Sequence, residues 1–136
     1  MAVEYFDPRT IARPVYEALS ELRTNNNSNE PRLKEQKNQA VELYTYLSTW
    51  GMMRLKAEEK ALSQEGKRQV VKKFFQCLET LSQSRQVQGL GSDTGLDVIK
   101  KLDVDEYLGL TGLGLALAQE FSFWANAIYH DIKGEQ

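Results

Sequence analysis

The residues that could act as nucleophiles, acid–base catalysts or zinc ligands are few in this chain. Cys77 is the only cysteine and His130 the only histidine, and together they cannot supply the three or four ligands of a zinc site. Cys77 lies between Phe74, Phe75 and Leu78, a pattern that predicts a buried, unreactive thiol on the apolar side of a helix. We therefore predict that the protein is not an enzyme and needs neither a metal nor another cofactor.

Four acidic residues near the carboxyl end are the other candidates for metal binding or acid–base chemistry. They are Asp97, Asp103, Asp105 and Glu106. Their spacing is not that of a calcium-binding loop. They flank the predicted start of a long helix, where carboxylates cap free N–H groups and interact favourably with the helix dipole. We interpret them as helix caps.

The best candidate for ligand contact is the basic middle of the chain. Residues 32–73 contain ten Lys and Arg against five Glu, whereas residues 89–136 contain three Lys against eight Asp and Glu. Cations one helical turn apart can follow a phosphate backbone without reading the bases. The candidate residues for contact with a nucleic-acid backbone are Arg54, Lys56, Lys60, Lys67, Arg68, Lys72 and Lys73. Two alternatives are a pair of solvated surfaces and a head-to-tail stack in which the basic middle meets the acidic end.

The segments that must position these residues all have helical periodicity. Apolar residues recur at steps of three and four over residues 11–22, 33–50 and 70–81, with shorter segments at 54–62 and 96–102. Trp50 falls on the apolar side of the second helix. Gly51 indicates either a left-handed helix end or the close approach of another backbone. The Asn-rich residues 24–31 predict a mobile loop. We predict one all-α domain over residues 1–136, a bundle of about five helices.

The last helix, predicted over residues 105–132, is apolar on more sides than a single surface helix should be. Its main stripe consists of Tyr107, Leu110, Gly114, Leu117, Phe121, Trp124 and Ile128. Other apolar residues lie off that stripe, so the helix must be covered on more than one side. Gly112 and Gly114 predict close approach of another helix, because each costs about 1 kcal/mol relative to Ala. The candidate assembly-interface residues are Leu113, Phe121, Phe123 and Trp124.

Two features bear on where the chain is found. No signal peptide is visible, and no stretch of eighteen apolar residues is free of charge, so we expect no membrane contact. The single cysteine suits the reducing cytoplasm.

The last helix also resembles that of a known family, the small all-helical subunit of type III-B (Cmr) CRISPR effector complexes. The resemblance rests on Tyr-Leu-Gly-Leu-Thr at 107–111, Leu-Ala-Leu-Ala at 115–118, and Trp124, Ala125 and Ala127. Residues 50–57 and 70–81 occupy the places of the preceding family segments. The whole resemblance spans about residues 36–130 and is strongest in the last helix.

The resemblance implies a non-catalytic subunit that stacks along an RNA-guided ribonucleoprotein and contacts guide and target RNA beside the other effector subunits. Three departures are visible. Gly112-Leu113, Glu120 and Ser122-Phe123 stand where the family favours Arg-Glu, Trp and Lys-Arg. Contacts of this helix would therefore be largely hydrophobic. The alternative is a helical protein–protein adaptor or homodimeric scaffold with no nucleic-acid role.

Overall fold

The computed structural model describes residues 7–133, which form six α-helices, one 3-10 turn and no strand. The all-α bundle predicted from the sequence is confirmed. The helices are α1 (Arg9–Asn25), α2 (Glu30–Trp50), α3 (Met52–Ala61), α4 (Glu65–Ser82), α5 (Gly95–Lys101) and α6 (Val104–Ile128), with the 3-10 turn at Arg85–Val87.

One side of helix α6 forms part of the core, where α1, α2 and α4 all pack against it. The Phe121 ring of α6 meets the Phe74 ring of α4 edge-on, with centroids 5.7 Å apart. The buried residues of α6 include Leu110, Gly114 and Leu117 as well as Phe121. All four belong to the predicted apolar stripe, so that stripe is the side of α6 that faces the core.

Helix α2 runs antiparallel to α6. The Tyr129 hydroxyl, just beyond α6, donates a 2.7 Å hydrogen bond to Gln36 early in α2. Nearer the middle of both helices, the Ser122 hydroxyl donates a 3.2 Å bond to the Ala40 carbonyl. The buried Gln36 also donates to Gln69 of α4 at 2.8 Å. This chain of amide and hydroxyl groups ties the end of α6 to two other helices and satisfies polar atoms that burial would otherwise leave unpaired.

Gly51 separates α2 from α3, between the predicted helical segments 33–50 and 54–62. Its φ of +89° and ψ of 167° lie in a region that is essentially restricted to glycine. The chain therefore turns sharply after Trp50, and α2 and α3 are separate helices. A Cβ at Gly51 would lie 3.7 Å from the Tyr107 hydroxyl, so the start of α6 sits beside this corner.

The predicted mobile loop over residues 24–31 is wrong in extent. Helix α1 continues through Asn25, and α2 begins at Glu30. The Asn29 side chain accepts a 3.1 Å hydrogen bond from the Arg32 backbone N–H and so caps α2. The Asn26 side chain donates to the Leu22 carbonyl at 2.8 Å. Asparagine side chains here complete the helix ends instead of forming a long loop.

The start of α6 was predicted more accurately. Asp103 and Glu106 form a reciprocal capping box, with bonds of 2.8 Å and 3.2 Å between each carboxylate and the other residue's backbone N–H. The interpretation of Asp103 and Glu106 as capping residues is confirmed.

The two glycines predicted to allow close helix approach have different surroundings. A Cβ on Gly114 would lie 3.0 Å from the Met52 methyl group, whereas a Cβ on Gly112 would meet nothing within 4 Å. The prediction therefore holds for Gly114 and is wrong for Gly112 within this chain, since Gly112 faces outward.

This difference gives a matched pair of substitutions. We expect Gly112→Ala to raise the free energy of unfolding by about 1 kcal/mol, because it removes the helix-propensity cost of glycine and meets no obstacle. Gly114→Ala should raise it by less or lower it, because the Met52 side chain must move. Urea unfolding followed by circular dichroism measures both. Equal gains for the two variants would contradict the close packing at Gly114.

Candidate interaction surfaces

The thiol of Cys77 is not positioned for nucleophilic chemistry. Burial raises the pKa of Cys77 to about 11, so the thiol stays protonated near neutral pH. Its sulfur lies 3.9 Å from the Pro14 carbonyl oxygen. Within residues 7–133, no three His, Cys, Asp or Glu side chains are grouped so that they could hold a metal ion. In the same part of the chain, no helix combines the length and apolar character needed to cross a bilayer.

Three of the predicted RNA-contacting residues come together on one concave surface between α3 and α4. Lys60, Arg68 and Lys72 line it, and all three are exposed. Glu59, Glu65 and Asp93 line the same surface. The Arg68 guanidinium donates a 2.9 Å bond to the Glu59 carbonyl and lies 3.5 Å from Glu65. We call Lys60, Arg68 and Lys72 the basic cluster.

Lys56 was predicted to be part of an exposed basic face, and this is wrong. It is only 4% exposed, and its ammonium group makes a 2.5 Å ion pair with Glu59. The same ammonium lies 5.0 Å from the centre of the Phe75 ring. Gly95 of α5 packs directly over the side chain, because a Cβ there would come within 2.2 Å of the lysine Cε. Lys56 therefore joins α3, α4 and α5 and cannot reach RNA.

The remaining predicted basic residues lie apart from the basic cluster. Lys73 turns toward α1, where it pairs with Glu21. Lys67 is half-buried. Arg54 is exposed and stacks over the Trp50 ring, with its guanidinium carbon 4.4 Å from the ring centroid. The seven cations thus do not form one continuous row, because the turns of α3 and α4 direct them to different sides of the bundle.

The outward side of α6 carries no charge over most of its length. Between Glu106 and Asp131 the only acidic or basic residue apart from His130 is Glu120, whose carboxylate accepts a 3.1 Å bond from the Trp124 indole. Large side chains on this side are well exposed, with Leu108 at 61% and Phe123 at 62%. Surface helices of globular proteins usually carry polar residues on that side. We call this surface the open α6 face; it comprises Leu108, Gly109, Gly112, Ala116, Gln119, Phe123 and Ala127.

The four predicted assembly-interface residues have different positions. Phe121 is fully buried in the core, so it cannot be an interface residue of the folded chain, and that prediction is wrong. Phe123 is exposed. Leu113 and Trp124 are half-buried. The Trp124 ring lies edge-to-face with Tyr16 and with Phe123, at centroid distances of 5.7 Å and 5.1 Å.

The sequence pattern did not predict the exposure of one aromatic residue, Trp50. Trp50 falls on the same periodic stripe as the buried Leu43 and Leu47, yet it is 52% exposed. The reason is the turn at Gly51, which ends α2 before another helix can cover the ring. An arginine four residues after an aromatic residue does not by itself predict contact between the two side chains. Here the tight glycine turn brings the two side chains together.

Comparison with known proteins found no relative of this chain. No family model matches the chain, and neither the curated proteins nor the solved structures contain a match. The geometry of these surfaces, together with the sequence resemblance of α6, is therefore the basis for a functional proposal.

Proposed function

We propose that this protein is a non-catalytic structural subunit of a type III CRISPR ribonucleoprotein in the cytoplasm. It stacks along the complex through the open α6 face, and it contacts guide and target RNA through the basic cluster. Its partners are the other effector subunits and neighbouring copies of itself. The observation that carries the proposal is that α6, the helix with the family resemblance, leaves an uncharged side uncovered.

The open α6 face suits another helical surface better than water. Single exposed apolar residues are ordinary, but a continuous uncharged surface is typical of a protein contact. Gly109 and Gly112 have open space where a Cβ would be, so a partner backbone could approach closely at that point. The face carries no charge that would repel the same face of a second copy. These features favour a copy of this chain as the first partner to test.

The basic cluster supports a weak, sequence-independent contact with RNA. Lys60 and Lys72 make no ion pair among the described residues, so their charges remain available to phosphate groups. Three acidic residues line the same surface and reduce its positive potential. We therefore expect RNA affinity to arise from several stacked copies and to fall steeply with salt, by a slope of about −0.7 per neutralised phosphate for a single strand.

The proposal is tested by recovering the tagged full chain from its own cells and sequencing the short RNAs that copurify. We expect repeat-derived guide RNAs together with a polymerase-like large subunit and repeat-binding backbone subunits. Gly112→Arg should abolish this recovery, because it places a long cation on the open α6 face without touching the core. Recovery of the wild-type chain without guide RNA would overturn the proposal.

The basic cluster is tested in the purified complex with the combined Lys60→Glu, Arg68→Glu and Lys72→Glu variant. Loss of three phosphate contacts should lower RNA affinity and reduce the salt slope by about 2. A matched control reverses three exposed lysines elsewhere, Lys34, Lys100 and Lys101, and so has the same net charge. If both variants lose affinity equally, the effect comes from overall charge, and this cluster is not the contact.

The open α6 face also favours a second candidate, a homodimeric scaffold with no nucleic-acid role. In that case sedimentation would show self-association that Gly112→Arg disrupts, while no RNA would copurify and the charge reversals would change nothing.

A further inference from the structure

We infer that Trp50 is a stacking position for an unpaired base of single-stranded RNA, with Arg54 holding the indole ring from one side. The inference rests on the proposed function and adds a residue and a mode of contact to it. The starting observation is that the corner between α2 and α3 presents an aromatic ring and an arginine together. The guanidinium carbon of Arg54 lies 4.4 Å from the centroid of the Trp50 ring, and residue Trp50 is 52% exposed.

The fold makes little use of this ring. Leu43 and Leu47 already supply the buried side of α2, and Trp50 comes at the last position of the helix, just before the sharp turn at Gly51. No side-chain hydrogen bond or ring–ring contact involves Trp50 among the described residues. A large aromatic side chain that is half exposed and not needed for the core has surface area free for a ligand.

Arg54 makes only local contacts in the fold. It forms no direct ion pair with a carboxylate in the described part of the chain. Its polar contact is with the Tyr46 hydroxyl, which Glu58 also contacts, so its guanidinium is not paired directly with an acid. Arginine lies flat against an aromatic ring and keeps its N–H donors at the edge, where they can bind phosphate or a base edge.

A nucleic acid accounts for this pair better than a second protein does. Aromatic rings beside cations are the usual means of holding single-stranded RNA, because every base has a π-face. On α3, Glu59 is paired with Lys56 and Glu58 contacts the Tyr46 hydroxyl, whereas the cations Arg54 and Lys60 remain exposed. If Trp50 and Arg54 instead bound a partner protein, that protein would have to supply a carboxylate to Arg54. Binding of a protein at this pair is one of the outcomes of the test.

The test uses the full-length chain with Trp124→Phe, so that Trp50 is the only tryptophan. Two probes of about 12 nucleotides, within the range of single-strand binding sites, are titrated at low salt. One is oligoadenylate RNA, and the other is the same backbone without bases. We expect oligoadenylate to quench Trp50 fluorescence and to bind more tightly than the abasic strand. Trp50→Ala should lower affinity for oligoadenylate between about 5-fold and about 150-fold, the range measured for one stacked base. It should leave the abasic affinity unchanged.

Two control variants decide the interpretation. Trp50→Phe should keep most of the affinity, because it keeps a stacking ring. Tyr16→Ala removes a similarly exposed aromatic residue of α1, outside the open α6 face and the basic cluster, and should not change RNA affinity. If Trp50→Ala binds oligoadenylate as well as the parent, or if neither probe binds, the inference is overturned. It is also overturned if Trp50→Ala changes only self-association, since Trp50 would then be a protein anchor.

Failure of this inference can be separated from failure of the proposed function. If the basic-cluster reversals weaken RNA binding in the complex while Trp50→Ala does not, the subunit still contacts RNA but not by stacking on this ring. If the wild-type chain recovers no guide RNA from cells, the proposed function itself fails.

Discussion

Phe121→Ala should lower the free energy of unfolding by about 3–5 kcal/mol, the usual cost of removing a buried phenylalanine ring. Phe121 is fully buried and meets the Phe74 ring at 5.7 Å, so its loss leaves a cavity between α4 and α6. Part of the cost is the lost transfer free energy, and part is the cavity that the surrounding helices cannot close. For a domain of this size, such a loss is a large share of the total stability.

The control for Phe121→Ala lies two residues away on the same helix. Phe123 is 62% exposed, so Phe123→Ala should change the free energy of unfolding by no more than about 0.5 kcal/mol. Both are measured by urea unfolding with circular dichroism, at a concentration low enough to keep the chain monomeric. Equal destabilisation by the two variants would mean that Phe121 and Phe123 do not lie on opposite sides of α6.

Lys56→Met should destabilise the chain by about 3 kcal/mol, the lower end of the range for breaking a buried ion pair. Methionine has a similar length and fits the space between Phe75 and Gly95, so packing changes little. The cost arises because the Glu59 carboxylate, whose side chain is only 12% exposed, loses the ammonium group 2.5 Å away. An unpaired charge in such a position is far less stable than the same charge in water.

The combined Lys56→Met and Glu59→Leu variant should recover much of that loss, because no charge is then left buried. Lys60→Met is the matched control, since Lys60 is an exposed lysine on the same helix, and it should have almost no effect. Thermal or urea unfolding of the wild type, Lys56→Met, Glu59→Leu and the combined variant forms a double-mutant cycle. A coupling energy near zero would contradict the close pairing of Lys56 with Glu59.

These pairs of neighbouring residues mark the limit of prediction from the sequence. A periodicity of three and four residues shows which side of a helix is apolar. It does not show whether an off-stripe residue will be covered by a neighbouring helix. Lys56 and Lys60 look alike in the sequence and lie one helical turn apart. Only the tertiary structure separates them, because Gly95 packs over Lys56.

Trp50 illustrates the opposite case, a residue on the apolar stripe of its helix that is nevertheless exposed. Its spacing from Leu43 and Leu47 predicts a buried ring, and the local pattern gives no reason to expect otherwise. The structure exposes it because the backbone turns at Gly51, whose φ is +89°, and α3 leaves in a new direction. The position of Arg54 over the ring follows from that turn.

By itself the sequence determined the helical character of the chain, the apolar stripe of α6 and the acidic caps at its start. These features depend on residues close together in the chain, whose spacing and side-chain chemistry act locally. Only the tertiary structure decided which cations and aromatic rings face solvent, because exposure depends on the helices that pack from distant parts of the chain. That is why the stripe containing Phe121 was predictable, whereas the basic cluster, the open α6 face and the Trp50–Arg54 pair were not.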